Sequence, residues 1–311
     1  MKRILLCMLA GLCGGCPDGG DPPAGPDVTH QPFRAPVAVV SSDVMLLTDT
    51  PPPRVVRIRL YSPAGPAAPN EVAHPLVLVS PDAGRSARQY AWLGKHLASQ
   101  GYLCVVIEHG EVREGASARR QRAGELSFVL DRLSSRDFPA MLKIDPDSDR
   151  VAVVGHGAGA ETALLAAGLA PDANEPGEML VDRRLDAVVA LDPPPSGAGG
   201  FSEESFASVS GPSLLIDAKR QQDANVSSAA FEALPEGLAF HLVVPAPGGD
   251  AFLSPPGSQR QERSPIHLLW VGQTVTAFLD ASLRQDREAL RWLMDRRIET
   301  FSRGACRIRH R

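Results

Sequence analysis

Cysteine is rare in this chain: five among 311 residues, with Cys7, Cys13 and Cys16 all inside the first sixteen positions. That leaves too few for a disulfide framework. Positive charge is not in excess either. Thirty-two Lys and Arg against thirty-six Asp and Glu give a formal charge of −4, which argues against a nucleic-acid partner. No internal repeat is visible, and aromatic residues make up only 5%. What is present is ordinary for a globular protein, with 43% hydrophobic and 22% charged residues. Twenty-eight Gly and twenty-eight Pro predict many stiff loops. The length suits one large α/β domain or two small ones.

The N-terminus reads MKRILLCMLAGLCGGC: two positive charges, a short apolar run, then small residues before Cys16. The run is too short to span a bilayer as a helix, and the layout is that of an export signal. It resembles a bacterial lipoprotein signal, which implies acylation of Cys16, a lipid anchor as the link to a membrane, and a place in the bacterial cell envelope. The fit departs from the usual pattern at Cys13, where leucine is common. Cleavage without a lipid, giving a periplasmic or secreted protein, and an uncleaved N-terminus stay open. Residues 17–36 are rich in Pro, Gly and Asp and predict a tether of low order. The folded domain is expected over 37–302. The arginine-rich end 303–311 reads as a solvated tail.

Within 37–302, apolar runs alternate with helical patterns. VAVVSSDVMLLTD and RVVRIRLYS predict two strands joined at TPPP. HPLVLVS, YLCVVIEHG, DRVAVVG, RLDAVVALD, GPSLLIDA and FHLVVPA predict six more. Helices are expected at SARQYAWLGKHLASQG, around RQRAGELSFVLDRLSS, after the glycine turn that follows Val154, and as a pair from about Pro265 to Phe301. Buried strands alternating with helices predict an α/β domain with a mostly parallel sheet of about eight strands, covered on both faces.

The stretch DRVAVVGHGAGAETALLAAG combines a buried strand, a sharp glycine turn and an alanine-rich helix. Its order resembles the α/β-hydrolase fold, in which such a turn presents a serine in the pattern G-x-S-x-G. LVLVSPDAGRSARQYAWLGKHLASQGYLCVVIEHG is similar to the oxyanion-loop region of the dienelactone-hydrolase and platelet-activating-factor-acetylhydrolase-like group, which includes bacterial polyester hydrolases. TVTAFLDASLRQD resembles that group's last helix.

The resemblance implies a Ser, an acid and a His in that chain order. At the serine position stands Gly157. For the acid, Asp223 is the better match and Asp217 the alternative. At the histidine position, in PAPGGDAFL, stand Gly249 and Asp250. His241 opens its strand, more than ~10 Å from the end where the site would lie. His267 belongs to the C-terminal helices. Where the group has a His-Gly pair, Pro81 and Asp82 stand, followed by Ala83 and Gly84. A carboxylate there would repel a developing oxyanion, and losing one donor costs ~3–4 kcal/mol.

These positions predict an exported hydrolase-fold protein without a working triad. It would bind a small molecule or a protein partner in a cleft formed by Asp82, Ala83, Gly84, His109, His156, Gly157, Ala158 and Asp192, and no cofactor is expected. Two alternatives remain. One is an active hydrolase of carboxylic or lipid-like esters using an atypical nucleophile, or a metal held by Asp82, Glu108, His109 and His156. His156 also reads as a residue packed beneath the turn. The other alternative is nucleotide or anion binding at Gly155, Gly157 and Ala160, which fit G-x-G-x-x-A, with Asp192 on the ribose.

Overall fold

Runs of Val, Leu and Ile without polar interruption become the interior strands, because a strand covered on both faces needs apolar side chains on both. The computed structural model describes residues 36–48, 53–67, 71–110, 115–171, 179–219, 228–246, 249–254 and 265–311. The signal with Cys16, almost all of the tether and Asp223 lie outside them.

Nine strands among the described residues form one sheet: β1 Val39–Leu47, β2 Val55–Pro63, β3 His74–Ser80, β4 Leu103–Glu108, β5 Pro146–His156, β6 Ala187–Leu191, β7 Ser213–Lys219, β8 Ala239–Pro245 and β9 Arg307–His310. Their order is β1-β2-β4-β3-β5-β6-β7-β8-β9. β3 to β8 run parallel, while β1, β2 and β9 form antiparallel pairings at the two ends. The mostly parallel sheet is thus as expected.

The helices are α1 Ala91–Ser99, α2 Ala116–Ser134, α3 Asp137–Leu142, α4 Ala158–Ala166, α5 Glu203–Ala207, α6 Ser228–Ala233, α7 Ile266–Leu283, α8 Arg287–Met294 and α9 Arg297–Phe301. Strand alternation sends Val77 and Val79 into a core shared with α1, α7 and α8. The neighbouring Leu76 and Leu78 enter the opposite core, shared with α2 and α4. Ser80 ends this second row and is wholly buried.

Two expectations need correction. The end of the chain is not a solvated tail, because β9 pairs antiparallel with β8 from Phe240↔His310 to Val243↔Arg307. Ile308 is 1% exposed and Cys306 is fully buried, while Arg309 reaches out to Glu232 at 2.8 Å. Arg-Ile-Arg-His is a two-residue alternation, and the strand it forms covers an edge that would otherwise be open. The C-terminal helices number three rather than two. Asp286 caps α8 by accepting Glu288 and Ala289 N–H, and the left-handed Arg296 ends the continuity before α9.

Candidate functional site

Three strand ends meet at the C-terminal edge of the sheet, where loops are free to present side chains. β5 ends in His156, and Gly157 turns the chain directly into α4 with φ 54° and ψ −117°. That backbone is strained for any residue with a Cβ. The other glycines of the turn have a packing cause. A Cβ on Gly155 would strike the Gly159 carbonyl, and one on Gly159 would strike the Ser80 carbonyl. The tight contact of α4 with β3 and β5 therefore explains Gly155 and Gly159, and the backbone of the turn explains Gly157.

Asp82, on the loop after β3, fills the space above the turn. Its Oδ1 accepts the Ala158 N–H at 2.9 Å, and a Cβ built on Gly157 would fall on the Asp82 carboxylate. This position is also where a bound anion would meet the start of α4. The nucleotide reading is therefore corrected: the chain's own carboxylate holds that amide. Asp192 Oδ1 is likewise already engaged, accepting the Ala218 N–H at 2.8 Å.

Asp192 follows β6 in a left-handed conformation with φ 44°. Burial raises its pKa to about 7, and the charges of Asp217 and Asp82 push the same way, against the pull of the Ala218 N–H. The Asp192 carboxyl thus feels the charge of Asp82, which stands beyond the end of another strand.

Tyr90 supports Asp82 from below. Its hydroxyl oxygen accepts the Asp82 N–H at 2.9 Å and lies 2.8 Å from His156 Nδ1. His156 is 2% exposed, edge-on to Phe252 at 5.4 Å. It lies under the turn rather than in the cleft. Gly249 and Asp250 belong to a short 3-10 turn, Gly249–Phe252, which the Trp92 Nε1–H ties down by donating to the Phe252 carbonyl at 2.7 Å. Asp250 pairs with Arg85 across the rim.

His109 forms a separate chain of contacts. Its Nδ1 is 2.8 Å from Glu125 Oε2, and its Nε2 is 2.9 Å from Ser80 Oγ. The residue types are those of a serine triad, but the buried Ser80 lies beyond the reach of an ester. Asp217 and His241 form a second buried acid–histidine pair at 2.9 Å, set back from the strand ends. His267 Nε2 contacts the Ala251 carbonyl at 2.8 Å. Among the described residues no group of three His, Cys, Asp or Glu is placed to hold a metal ion. Asp82, Glu108, His109 and His156 are thus not gathered into one coordination shell.

A cavity of about 430 Å³ opens beside Asp82, lined among others by Gly84, Arg85, Glu108, His109 and Arg122. Sequence reasoning missed Arg122, Glu125 and Tyr90. A signal for the first two was available, because Ala118, Arg122, Glu125, Leu126, Val129 and Leu133 recur at helical spacing on the buried stripe of α2.

Residues 59–236 match a family model described as PET hydrolase-like. Cutinase est2 of Thermobifida alba is 24% identical over 182 residues, covering 58% of this chain and 51% of that protein. Cutinase 2 of Thermobifida cellulosilytica is 26% identical over 166 residues, covering 52% and 55%. The chain thus spans about half the length of the curated relatives it matches. A ferulic acid esterase from Streptomyces cinnamoneus superposes with a TM-score of 0.59 at 23% identity, over 83% of this chain and 93% of that one. At that identity it speaks for the α/β-hydrolase fold. These findings overturn the expectation of a hydrolase fold without hydrolytic chemistry. The relatives are named as cutinases, and the Asp82 carboxylate stands where a side chain at position 157 would project. The matching family is also the polyester-hydrolase side of the expected group, not the dienelactone side.

Proposed function

The chain belongs to the PET hydrolase-like family, and from that premise we propose that its cleft hydrolyses carboxylic esters by carboxylate chemistry, with Asp82 as base and Asp192 as acid. One observation carries the reading: the Asp82 carboxylate stands where a side chain at position 157 would stand, held by the Ala158 N–H. In this scheme Asp82 takes a proton from water as the water oxygen attacks the ester carbonyl carbon. The π electrons of the carbonyl move to its oxygen, giving a tetrahedral oxyanion. Proton uptake makes Asp82 a weaker acceptor, which frees the Ala158 N–H to meet that oxyanion. Asp192, whose raised pKa keeps it protonated to about pH 7, passes its proton to the alcohol oxygen as the C–O bond breaks. A proton moving from Asp82 to Asp192 through water restores the starting state.

The relatives' naming as cutinases supports an ester as substrate. The test is turnover of p-nitrophenyl butyrate by the purified chain, with a fluorophosphonate probe alongside. We expect turnover that the probe does not block and that Asp82→Asn lowers by ~10²-fold or more. A silent wild type, a labelled serine or a fully active Asp82→Asn overturns the reading. We further place the enzyme outside the cytoplasm, tethered through acylated Cys16. That requires palmitate labelling that disappears in Cys16→Ser.

A further inference from the structure

Arg122 is a charged residue of the cleft that the proposed chemistry leaves unused. It projects from the buried stripe of α2, is 7% exposed and lines the cavity beside Asp82. Its Nε is buried without a hydrogen-bond partner. Three carboxylates lie near enough for their charge to act on it, those of Asp82, Glu161 and Glu125, and each already has another partner. Asp82 takes the Ala158 N–H. Glu161 pairs with Arg119. Glu125 receives Gln121 at 2.9 Å, Arg54 at 3.4 Å and His109 at 2.8 Å. Arg119 thus offsets Glu161, and Arg54 offsets Glu125, which leaves the guanidinium one acid, Asp82, that it does not touch.

A nearly buried guanidinium without a planar partner is costly, because its desolvation is not repaid by paired hydrogen bonds. Its fork of N–H groups matches a carboxylate in two parallel bonds. The cavity wall adds Arg57 and Arg85 against Asp82 and Glu108, with Arg85 already paired to Asp250. We propose that Arg122 is an anion-recognising subsite, so that the cleft takes esters bearing a free carboxylate, such as half-esters of dicarboxylic acids. The ester part of this inference rests on the function proposed above. The carboxylate part does not.

The test separates them by measuring binding without turnover. Benzoate, benzyl alcohol and inorganic phosphate are titrated calorimetrically into the full chain and into Arg122→Gln and Arg122→Lys, with melting curves to establish folding. We expect the wild type to prefer benzoate to benzyl alcohol and to phosphate, and the preference over benzyl alcohol to fall at least tenfold in Arg122→Gln. Arg122→Lys, which keeps the charge without the fork, should lose a smaller share and decides the matter if Arg122→Gln does not fold. The ratio of kcat/KM for monoethyl over diethyl adipate should fall in step. Benzoate that binds both forms alike, or neither, overturns the proposal and leaves the guanidinium as a counter-charge to Asp82. Phosphate binding at least as tight as benzoate overturns the carboxylate assignment. Benzoate binding by a wild type that turns over no ester retains the subsite and removes the hydrolase reading instead.

Discussion

Replacing Gly157 by serine puts the proposed chemistry at risk in a measurable way. The new Cβ falls on the Asp82 carboxylate, which must swing off the Ala158 N–H. Losing that charge-assisted hydrogen bond costs about 1.5–3 kcal/mol. Holding a non-glycine residue at φ 54° and ψ −117° adds about 1–3 kcal/mol of backbone strain. The total, about 2.5–6 kcal/mol, lowers the melting temperature by about 10 °C in a domain of this size. In an Asp82→Ala background the clash is gone and only the strain remains. The two substitutions should therefore be non-additive by about 1.5–3 kcal/mol in a double-mutant cycle of chemical denaturation. Turnover of p-nitrophenyl butyrate by the single variant should fall by ~10²-fold, since the displaced carboxylate no longer meets the substrate water. Additive stabilities would mean that Asp82 and position 157 do not compete for one space. A Gly157→Ser variant faster than wild type would mean that serine chemistry was intact apart from its hydroxyl, and the carboxylate scheme would fall.

Asp192 predicts a pH signature. Its folded pKa of about 7 lies above the ordinary aspartate value of 3.8, so between those values the folded state binds the proton that the unfolded chain has lost. Its stabilising contribution is complete below pH ~4 and is lost as pH rises through about 7. Asp192→Asn should flatten the fall in melting temperature across that window, and an unchanged slope would rule out Asp192 as its source. The same variant should slow ethyl butyrate more than p-nitrophenyl butyrate, because nitrophenolate leaves without an acid; equal losses would argue against the proton-donor role. Ending the chain at Ser302 removes β9, uncovering the β8 edge and the core under Ile308 and Cys306. We expect aggregation or a much lower melting temperature on heating, and a truncated chain that melts like the full one would return 303–311 to the status of a tail.

The alternation of apolar strands and helices was legible without coordinates, because a doubly covered parallel sheet imposes apolar side chains on both faces of each inner strand. Val77 and Val79 against Leu76 and Leu78 are that rule in one strand. The glycine turn was legible too, since few residues tolerate its backbone. Position 157 by itself, however, suggested an empty site. Only the folded chain brings Asp82, seventy-six residues earlier, onto the Ala158 N–H, and only there does Asp192 meet the burial and neighbouring charge that raise its pKa. The spacing in α2 marked Arg122 as inward-facing but said nothing of whether its partners were already taken. Local sequence determines which backbone and which face a residue adopts. Which carboxylate stands beside which amide, and which cation is left without a partner, depends on contacts between distant segments that only tertiary packing creates.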